Sequence, residues 1–240
     1  MPDMNYATLN SLTKYPSIPT YHEIDRGKLS GEAIPFDASD CHVTEKIDGT
    51  NGRIVIMPDG DFYIGSREEL LHARCDRVIN QNLGIVDVLL PHASRMSEEM
   101  TPSKNITVAY GEVYGHAIGS GSKNYTRSTS RGVRWFDLCV VPVELLSQTP
   151  EFAAKWRDNS GQIFAPASSP DGGVPRIACE PPPRDIAGTY QWLKTVCPRS
   201  YATFGDGDGR PEGVVVRTAD RRRIVKIRYE DYERTLGIRR

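Results

Sequence analysis

Short strand-like segments joined by tight turns constrain the fold of this chain most. Cys41–Glu45 and Arg53–Met57 lie on either side of a short polar turn, and a Pro-Asp-Gly turn at 58–60 leads into a further segment at 61–66. Apolar and β-branched runs separated by glycine-containing turns are typical of antiparallel hairpins. We therefore predict a pair of hairpins over residues 41–66.

The same pattern continues along the chain and predicts an α+β fold built mainly from antiparallel sheets flanked by helices. Further strands are predicted at 106–115, 133–141, 213–218 and 223–229. Apolar residues at helical spacing predict helices at 67–91, where the pattern ends at a proline, at 150–160 and at 185–197. Residues 1–40 are polar and rich in turn residues, which is typical of a lead-in segment.

Composition excludes several classes of protein. The formal net charge of the 240 residues is -1, so affinity for a nucleic acid must come from a local patch. Such a patch is predicted at 210–240, a segment that contains ten basic and five acidic residues. No apolar run is long enough to span a bilayer, and five scattered cysteines without a CxxC pair favour a reducing compartment. We therefore expect a cytoplasmic protein without a membrane partner.

Lys46 is the first candidate for chemistry, because it stands at the end of a strand and directly before a glycine turn. A lysine nucleophile needs a neutral amine, which cationic neighbours, a metal or desolvation favour. Gly49 leaves room for a ligand beside the amine. Asp48 supplies a hydrogen-bond acceptor and Asn51 both a donor and an acceptor. The stretch is consistent with a nucleophile at the rim of a pocket.

Polar residues within the other strands extend this candidate site. Glu112 lies between glycines, and Phe136 offers an aromatic face on which a nucleobase can stack. Glu212 offers the hard oxygen that Mg²⁺ prefers. Lys226 and Arg228 alternate with apolar residues, so both side chains project from one face of a strand. Two cations on one face suit a phosphate.

Six segments, in this order, resemble the motifs of the covalent nucleotidyltransferase superfamily, which contains RNA ligases, DNA ligases and mRNA capping enzymes. They are KIDGTN at 46–51, SR at 66–67, YGEVYG at 110–115, WFDL at 135–138, EGVVVR at 212–217 and VKIR at 225–228. Within the superfamily the sequence resembles the RNA ligase 2-like family. Asn51 stands five residues after the lysine, where DNA ligases and capping enzymes usually carry arginine, and Glu45 precedes the lysine.

The resemblance implies an ATP-dependent RNA ligase. Lys46 would attack the α-phosphate of ATP and form a lysyl–AMP phosphoramidate with release of pyrophosphate. AMP would pass to an RNA 5′-phosphate, and an RNA 3′-OH would then displace it. Mg²⁺ or Mn²⁺ would assist, and the RNA would carry its ends at a nick in a duplex or in a broken loop.

The resemblance also implies a role for each matched residue. The nucleotide would be held by Glu45 at the adenine, Phe136 stacked on the adenine, Glu112 at the ribose hydroxyls, Arg67 at ribose or phosphate, and Gly49 in the turn. Asp48 and Asn51 would organise the sugar, the incoming 3′-OH or a metal-bound water. Lys226 and Arg228 would grip the α-phosphate and the leaving pyrophosphate. The metal ligands would be Glu212 and Glu112.

Two departures from the family leave other hypotheses open. Arg228 stands where the family more often has lysine, and the sequence ends 14 residues after Lys226. We therefore expect one adenylation domain over 1–240, ATP-grasp-like, without a C-terminal OB or helical domain, and a protein partner that takes the place of that domain. The alternatives are a DNA ligase or capping-type nucleotidyltransferase, and a partner-dependent subunit that binds RNA ends for repair.

Overall fold

The computed structural model describes residues 5–74, 84–100, 103–159, 163–166, 172–177 and 180–238. In chain order its α-helices are α1 Tyr6–Thr13, α2 Ile85–Glu99, α3 Ser122–Tyr125, α4 Pro150–Asp158, α5 Ile186–Val196 and α6 Tyr229–Leu236. Its strands are β1 Glu23–Asp25, β2 Lys28–Ser30, β3 His42–Lys46, β4 Thr50–Ile56, β5 Phe62–Ser66, β6 Leu70–Ala73, β7 Asn105–Gly115, β8 Arg131–Pro142, β9 Ile163–Pro166, β10 Arg176–Ile177, β11 Gly213–Arg217 and β12 Ile224–Arg228.

The chain divides into two compact units, each with its own sheet. The first unit comprises residues 1–16, 49–118 and 131–173, and the second comprises 17–48, 119–130 and 174–240. Within the described sheets all strand pairs are antiparallel. Together with the helices, they confirm the predicted α+β class. That both units form one adenylation domain stays a prediction.

The first unit is built on a six-stranded sheet in the order β6-β5-β4-β7-β8-β9. Successive side chains of a strand point to opposite faces. Ile54 and Ile56 of β4 therefore pack with α2 on one face, and Val55 packs with α1 and α4 on the other. Leu9 and Leu12 of α1 have no exposed surface. The predicted lead-in thus contains a helix that contributes to the core of this unit.

The second unit is built on a four-stranded sheet in the order β10-β3-β11-β12. One face of this sheet is buried: Val43, Val214, Val216 and Ile227 pack with residues of α5 and α6 in a single apolar cluster. Burying aliphatic side chains of this kind contributes about 1.5–3 kcal/mol each. The opposite face of the same strands is consequently available for polar residues.

The first predicted hairpin is wrong. β3 pairs with β10 and β11, whereas β4 pairs with β5 and β7, so the two strands around the Lys46 turn belong to different sheets. Gly49 explains why the chain can pass there: a Cβ at this position would lie 2.3 Å from the Val113 carbonyl oxygen. The second predicted hairpin, β4 with β5, is confirmed.

The helix predicted over 67–91 is wrong in its position. Leu70–Ala73 form a strand, residues 75–83 lie outside the described part of the chain, and α2 begins only at Ile85. Pro91 lies inside α2 instead of ending it. The helix continues past the proline because Leu89 and Ala93, on either side of it, are buried against the sheet.

Candidate active site

Lys46 shares one face of the second unit's sheet with two other cations. The strand register aligns Lys46 with Gly213 and Arg228, and aligns Thr44 with Val215 and Lys226. Residues that are directly opposite in neighbouring strands project from the same face. The structure therefore brings Lys46, Lys226 and Arg228 onto the face that is opposite the apolar core.

Glu212 is the partner of the candidate nucleophile. The Lys46 ammonium donates a hydrogen bond to Glu212 Oε2 at 2.7 Å, and the two side chains are 25% and 19% exposed. Burial raises the pKa of the Glu212 carboxyl, and the neighbouring Lys46 charge opposes that rise. The contact places a carboxylate oxygen at hydrogen-bond distance from the amine, which is the geometry that a general base requires.

Arg228 is held by a buried carboxylate of the same unit. Its Nε and Nη2 atoms donate to the two Asp231 oxygens at 2.8 and 2.9 Å, and Asp231 is 1% exposed. These hydrogen bonds raise the pKa of Arg228. Asp231 thereby occupies one edge of the guanidinium and fixes its plane. The sequence prediction that Arg228 binds phosphate did not anticipate this partner.

Glu45 points away from Lys46. Its side chain is 1% exposed, accepts a hydrogen bond from the Ser200 hydroxyl and accepts another from the Tyr201 backbone N–H at 2.8 Å. A buried carboxylate is stable only when its oxygens are bonded in this way. Glu45 thus ties residues 200–201 beneath β3, and the adenine contact predicted for it stays a prediction.

The turn after Lys46 is held by residues from a distant loop. The Asp48 backbone N–H donates to the Tyr125 hydroxyl at 2.5 Å, and a Cβ at Gly121 would lie 2.2 Å from Asp48 Oδ2. Sequence reasoning missed both residues. Gly121 and Tyr125 lie in the Gly/Ser-rich loop between β7 and β8, which contains the single-turn helix α3, and no local pattern connects that loop with Lys46.

The first unit carries a second group of predicted residues on one face of its sheet. Asn51 of β4 is opposite Glu112 of β7, which is opposite Arg134 of β8, so the three side chains share a face. Asn51 Oδ1 is buried and has no hydrogen-bond partner within the part of the chain that the structure describes. An orphan acceptor of this kind fits a ligand that donates a hydrogen bond, such as a sugar hydroxyl.

Phe136 reaches that face through an irregularity in the ladder. The register of β7 with β8 pairs Tyr110 with Asp137 and Gly111 with Trp135, which leaves Phe136 as the extra residue. A bulge of this type turns the side chain of the extra residue. Phe136 contacts the Tyr15 ring at a centroid distance of 4.9 Å and an interplanar angle of 75°. Tyr15 therefore supports one edge of the predicted stacking ring.

Arg67 lies in a tight turn that α1 holds. The Glu68 and Glu69 N–H groups both donate to the Ser66 hydroxyl at 3.2 Å, and the Asn10 side chain donates to the Glu68 carbonyl oxygen at 3.0 Å. Arg67 itself is 55% exposed on its side chain. Helix α1, which lies within the predicted lead-in segment, is therefore part of the support for this turn.

Arg53 explains how that support is anchored. It has no exposed surface, burial lowers the pKa of its guanidinium to about 10, and its Nη2 donates to the Asn10 side chain. Its Nε and Nη1 are without partners among the described residues. A Cβ at Gly65 would lie 2.7 Å from Arg53 Nε, so a glycine is needed opposite it. No local pattern in the sequence distinguishes this residue from an ordinary strand arginine.

The carboxylate beside Lys46 suits a metal that is bound together with a phosphate ligand. In residues 5–238, apart from the undescribed gaps, no three His, Cys, Asp or Glu side chains come together as a metal site. Glu212, a carboxylate beside the Lys46 amine, fits Mg²⁺, which commonly takes one or two carboxylates, several waters and substrate phosphates.

Within the described part of the chain, no helix is long and apolar enough to cross a membrane.

Solved structures of Naegleria gruberi RNA ligase are similar to this chain at low identity. A variant with ATP and Mn is 14% identical with a TM-score of 0.49, and the match covers 92% of this chain and 62% of that one. A variant with AMP and Mn gives 13%, 0.49, 99% and 64%, and the ligase with PPi gives 15%, 0.48, 93% and 62% for the same quantities. This chain thus spans about three fifths of the length of those proteins.

A match to a sequence family decides the assignment. A comparison with curated proteins finds no match. The family described as RNA ligase matches residues 39–228, which include every predicted site residue from Glu45 to Arg228. The matched range covers most of the chain and extends over both units. The chain belongs to the RNA ligase family.

Proposed function

We propose that this chain is an ATP-dependent RNA ligase that works through a covalent lysyl–AMP intermediate. The observation that carries the proposal is the Lys46–Glu212 contact at 2.7 Å, on a sheet face that also holds Lys226 and Arg228. A nucleophilic amine, a proton acceptor and two phosphate-binding cations are the groups that transfer of a nucleotidyl group needs. Membership of the RNA ligase family supports the same chemistry.

In the first step, Lys46 Nζ attacks the α-phosphorus of ATP and pyrophosphate leaves. The amine must lose its proton to attack, and Glu212 Oε2 is within hydrogen-bond distance to accept it. Lys226 and Arg228 neutralise the charge that develops on the phosphates. Mg²⁺, which Glu212 would hold, supplies Lewis-acid neutralisation of the phosphate oxygens when it is bound.

We assign recognition of the nucleoside to residues of the first unit. Asn51 Oδ1 is an unpartnered acceptor within the described residues and suits a ribose hydroxyl. Glu112, directly opposite it in the sheet, suits the same sugar, and the half-buried ring of Phe136 offers a surface for adenine. Arg67 on its supported turn suits ribose or phosphate.

In the later steps, AMP passes to the 5′-phosphate of an RNA and a 3′-OH displaces it to form the phosphodiester. We propose RNA ends at a nick in a duplex or in a broken loop as the substrate, because RNA is recognised largely through backbone and 2′-OH contacts and through stacking. A protein partner that assists RNA binding and a cytoplasmic location stay predictions.

The test is intact mass spectrometry of the purified chain after incubation with ATP and Mg²⁺. We expect a mass gain of one AMP that is lost in acid. Lys46→Arg should give no adduct, since it keeps a cation beside Glu212 but has no nucleophilic amine. The matched control is Lys194→Ala, which removes an exposed lysine of the same unit that donates to the Gln191 side chain and lies over the Tyr190 ring.

Parallel reactions separate the alternatives. An adduct with GTP or NAD but not ATP would indicate a capping enzyme or a different ligase class, and sealing of nicked DNA but not nicked RNA would indicate a DNA ligase. No adduct with any of the three nucleotides would contradict the proposal and favour a subunit that binds RNA ends.

A further inference from the structure

We infer that Tyr125 is a positioning residue for the nucleophile: its buried hydroxyl fixes the backbone two residues after Lys46. The inference deepens the proposed function and rests on it for the role of Lys46. Tyr125 lies 77 residues from Asp48 along the chain and outside the six segments that carry the family resemblance. It touches no reacting group in the proposed reaction and acts through Asp48.

The contact between Tyr125 and Asp48 is short and enclosed. The Asp48 N–H donates to the Tyr125 hydroxyl at 2.5 Å, and Tyr125 has no exposed surface. Burial also raises the pKa of the phenol, so the hydroxyl stays neutral at physiological pH. Removing the hydroxyl would leave this backbone N–H without its acceptor. The turn is therefore held in the conformation in which this bond forms.

Gly121 holds the side chain of the same residue. A Cβ at Gly121 would lie 2.2 Å from Asp48 Oδ2 and 2.8 Å from its carboxyl carbon. The Asp48 carboxylate thus rests directly on a backbone that has no side chain. One loop therefore contacts both the main chain and the carboxylate of Asp48, which leaves the turn little freedom to move.

Tyr125 is itself held by a second loop. The Phe204 N–H donates to the Tyr125 carbonyl oxygen at 2.9 Å, and the Gly209 N–H donates to the Asn124 carbonyl oxygen at 2.9 Å. A Cβ at Gly207 would lie 2.4 Å from that Asn124 oxygen, so the two loops meet closely. The glycine-rich segment at 204–209, which has no role in the proposed chemistry, thereby becomes the support for Tyr125.

The position of Lys46 depends on this support at one end. Lys46 is the last residue of β3 in register with β11, and Ile47 beyond it is buried. With Asp48 fixed, both ends of the segment that carries the amine are constrained. A displacement of about 1 Å can slow an enzymatic step about 100-fold, because the reacting atoms no longer meet in line.

The experiment compares Tyr125→Phe with the control Tyr232→Phe. Tyr232 is also a buried tyrosine of the second unit, and its hydroxyl bonds His22 at 2.7 Å. Each variant loses a buried hydroxyl, but only Tyr125→Phe affects the turn. We expect Tyr125→Phe to slow lysyl–AMP formation at saturating ATP about tenfold, the value of one lost hydrogen bond of 1.4 kcal/mol, with the KM for ATP within about twofold of wild type.

Tyr232→Phe should form lysyl–AMP at the wild-type rate, although its urea midpoint should fall by about as much as that of Tyr125→Phe. Equal slowing in both variants would show a general loss of stability and would overturn the inference. A wild-type rate in Tyr125→Phe would overturn it as well. Gly121→Ala, which displaces the Asp48 carboxylate by a different route, should slow the same step.

A second measurement stands apart from the activity. The Asp48 amide of the nucleotide-free protein should exchange slowly with solvent and should resonate downfield in an NMR spectrum, and Tyr125→Phe should abolish both properties. If wild type forms no lysyl–AMP, the proposed function fails while the amide still reports whether Tyr125 holds the turn. An Asp48 amide that is unchanged in Tyr125→Phe would overturn the inference, whatever the activity.

Discussion

Substituting Gly213 by alanine tests the row of aligned residues Lys46, Gly213 and Arg228 in the candidate site. Gly213 lies between Lys46 and Arg228 in the sheet register. A Cβ there would lie 2.0 Å from the Ile227 carbonyl oxygen and 2.8 Å from the Arg228 Cα atom. Ordinary van der Waals contact begins near 3.4 Å, and both neighbours are backbone atoms that cannot rotate away. The strand β12 must therefore move by more than an ångström.

The size of the effect follows from that displacement. Loss of about two ladder hydrogen bonds at about 1 kcal/mol each, together with about 1 kcal/mol of strain from overpacking, gives a destabilisation of about 3 kcal/mol. In a chain of this length this corresponds to a fall in Tm of about 10 °C. Because β12 carries Arg228, we also expect lysyl–AMP formation to slow about 100-fold.

The assay is urea unfolding followed by single-turnover lysyl–AMP formation, beside Gly31→Ala. Gly31 has a positive φ, of +69°, and nothing lies within 4 Å of its Cβ position. That control therefore isolates the backbone strain of about 1–2 kcal/mol from the steric clash. Equal urea midpoints for the two variants would refute the clash. A strongly destabilised Gly213→Ala that forms lysyl–AMP at the wild-type rate would refute the link between this row and the chemistry.

Two further predictions concern the charged groups. Because the pKa of Glu212 is raised, its ionised pair with Lys46 is lost as pH falls through that pKa, so the rate of adenylation should fall there. The free energy of unfolding should instead decline as pH rises from the ordinary glutamate pKa through the raised one, because the folded state binds more protons in that range. Single-turnover rates and urea midpoints across pH will measure the two dependences, and both should vanish in Glu212→Gln. Asn10→Asp keeps an acceptor for Arg53 but cannot donate to the Glu68 carbonyl, so the KM for ATP should rise about tenfold with little loss of stability. Asn10→Asp should have no further effect on that KM in an Arg67→Ala background, and additive effects there would contradict the positioning of Arg67 by Asn10.

Local patterns in the sequence were sufficient for the secondary structure that depends on alternation alone. The second hairpin, the paired strands β7 and β8, the pair β11 and β12, and the helices α4 and α5 lie close to where alternation and helical spacing predicted them. The projection of Lys226 and Arg228 from one face follows from the period of two in a strand, and the register confirms that face.

Long-range pairing was beyond local patterns. The segment around Lys46 has the pattern of a hairpin, but β3 pairs with β11, from a segment more than 160 residues further along the chain, and β4 pairs with β7. Strand alternation shows that a segment has two faces but does not show which strand pairs with it. The polar turn therefore predicted a hairpin where the chain instead passes from one sheet to another.

The sequence by itself determined which residue types the candidate site contains: an amine, carboxylates, an aromatic ring and cations, all within the range that the RNA ligase family matches. Only the tertiary structure decided that Glu212 contacts Lys46, that Glu45 points into the core, and that Tyr125 holds Asp48. The reason is physical. Residue types and short spacings fix what a side chain can do, whereas its partner depends on the packing of segments that are far apart in the chain.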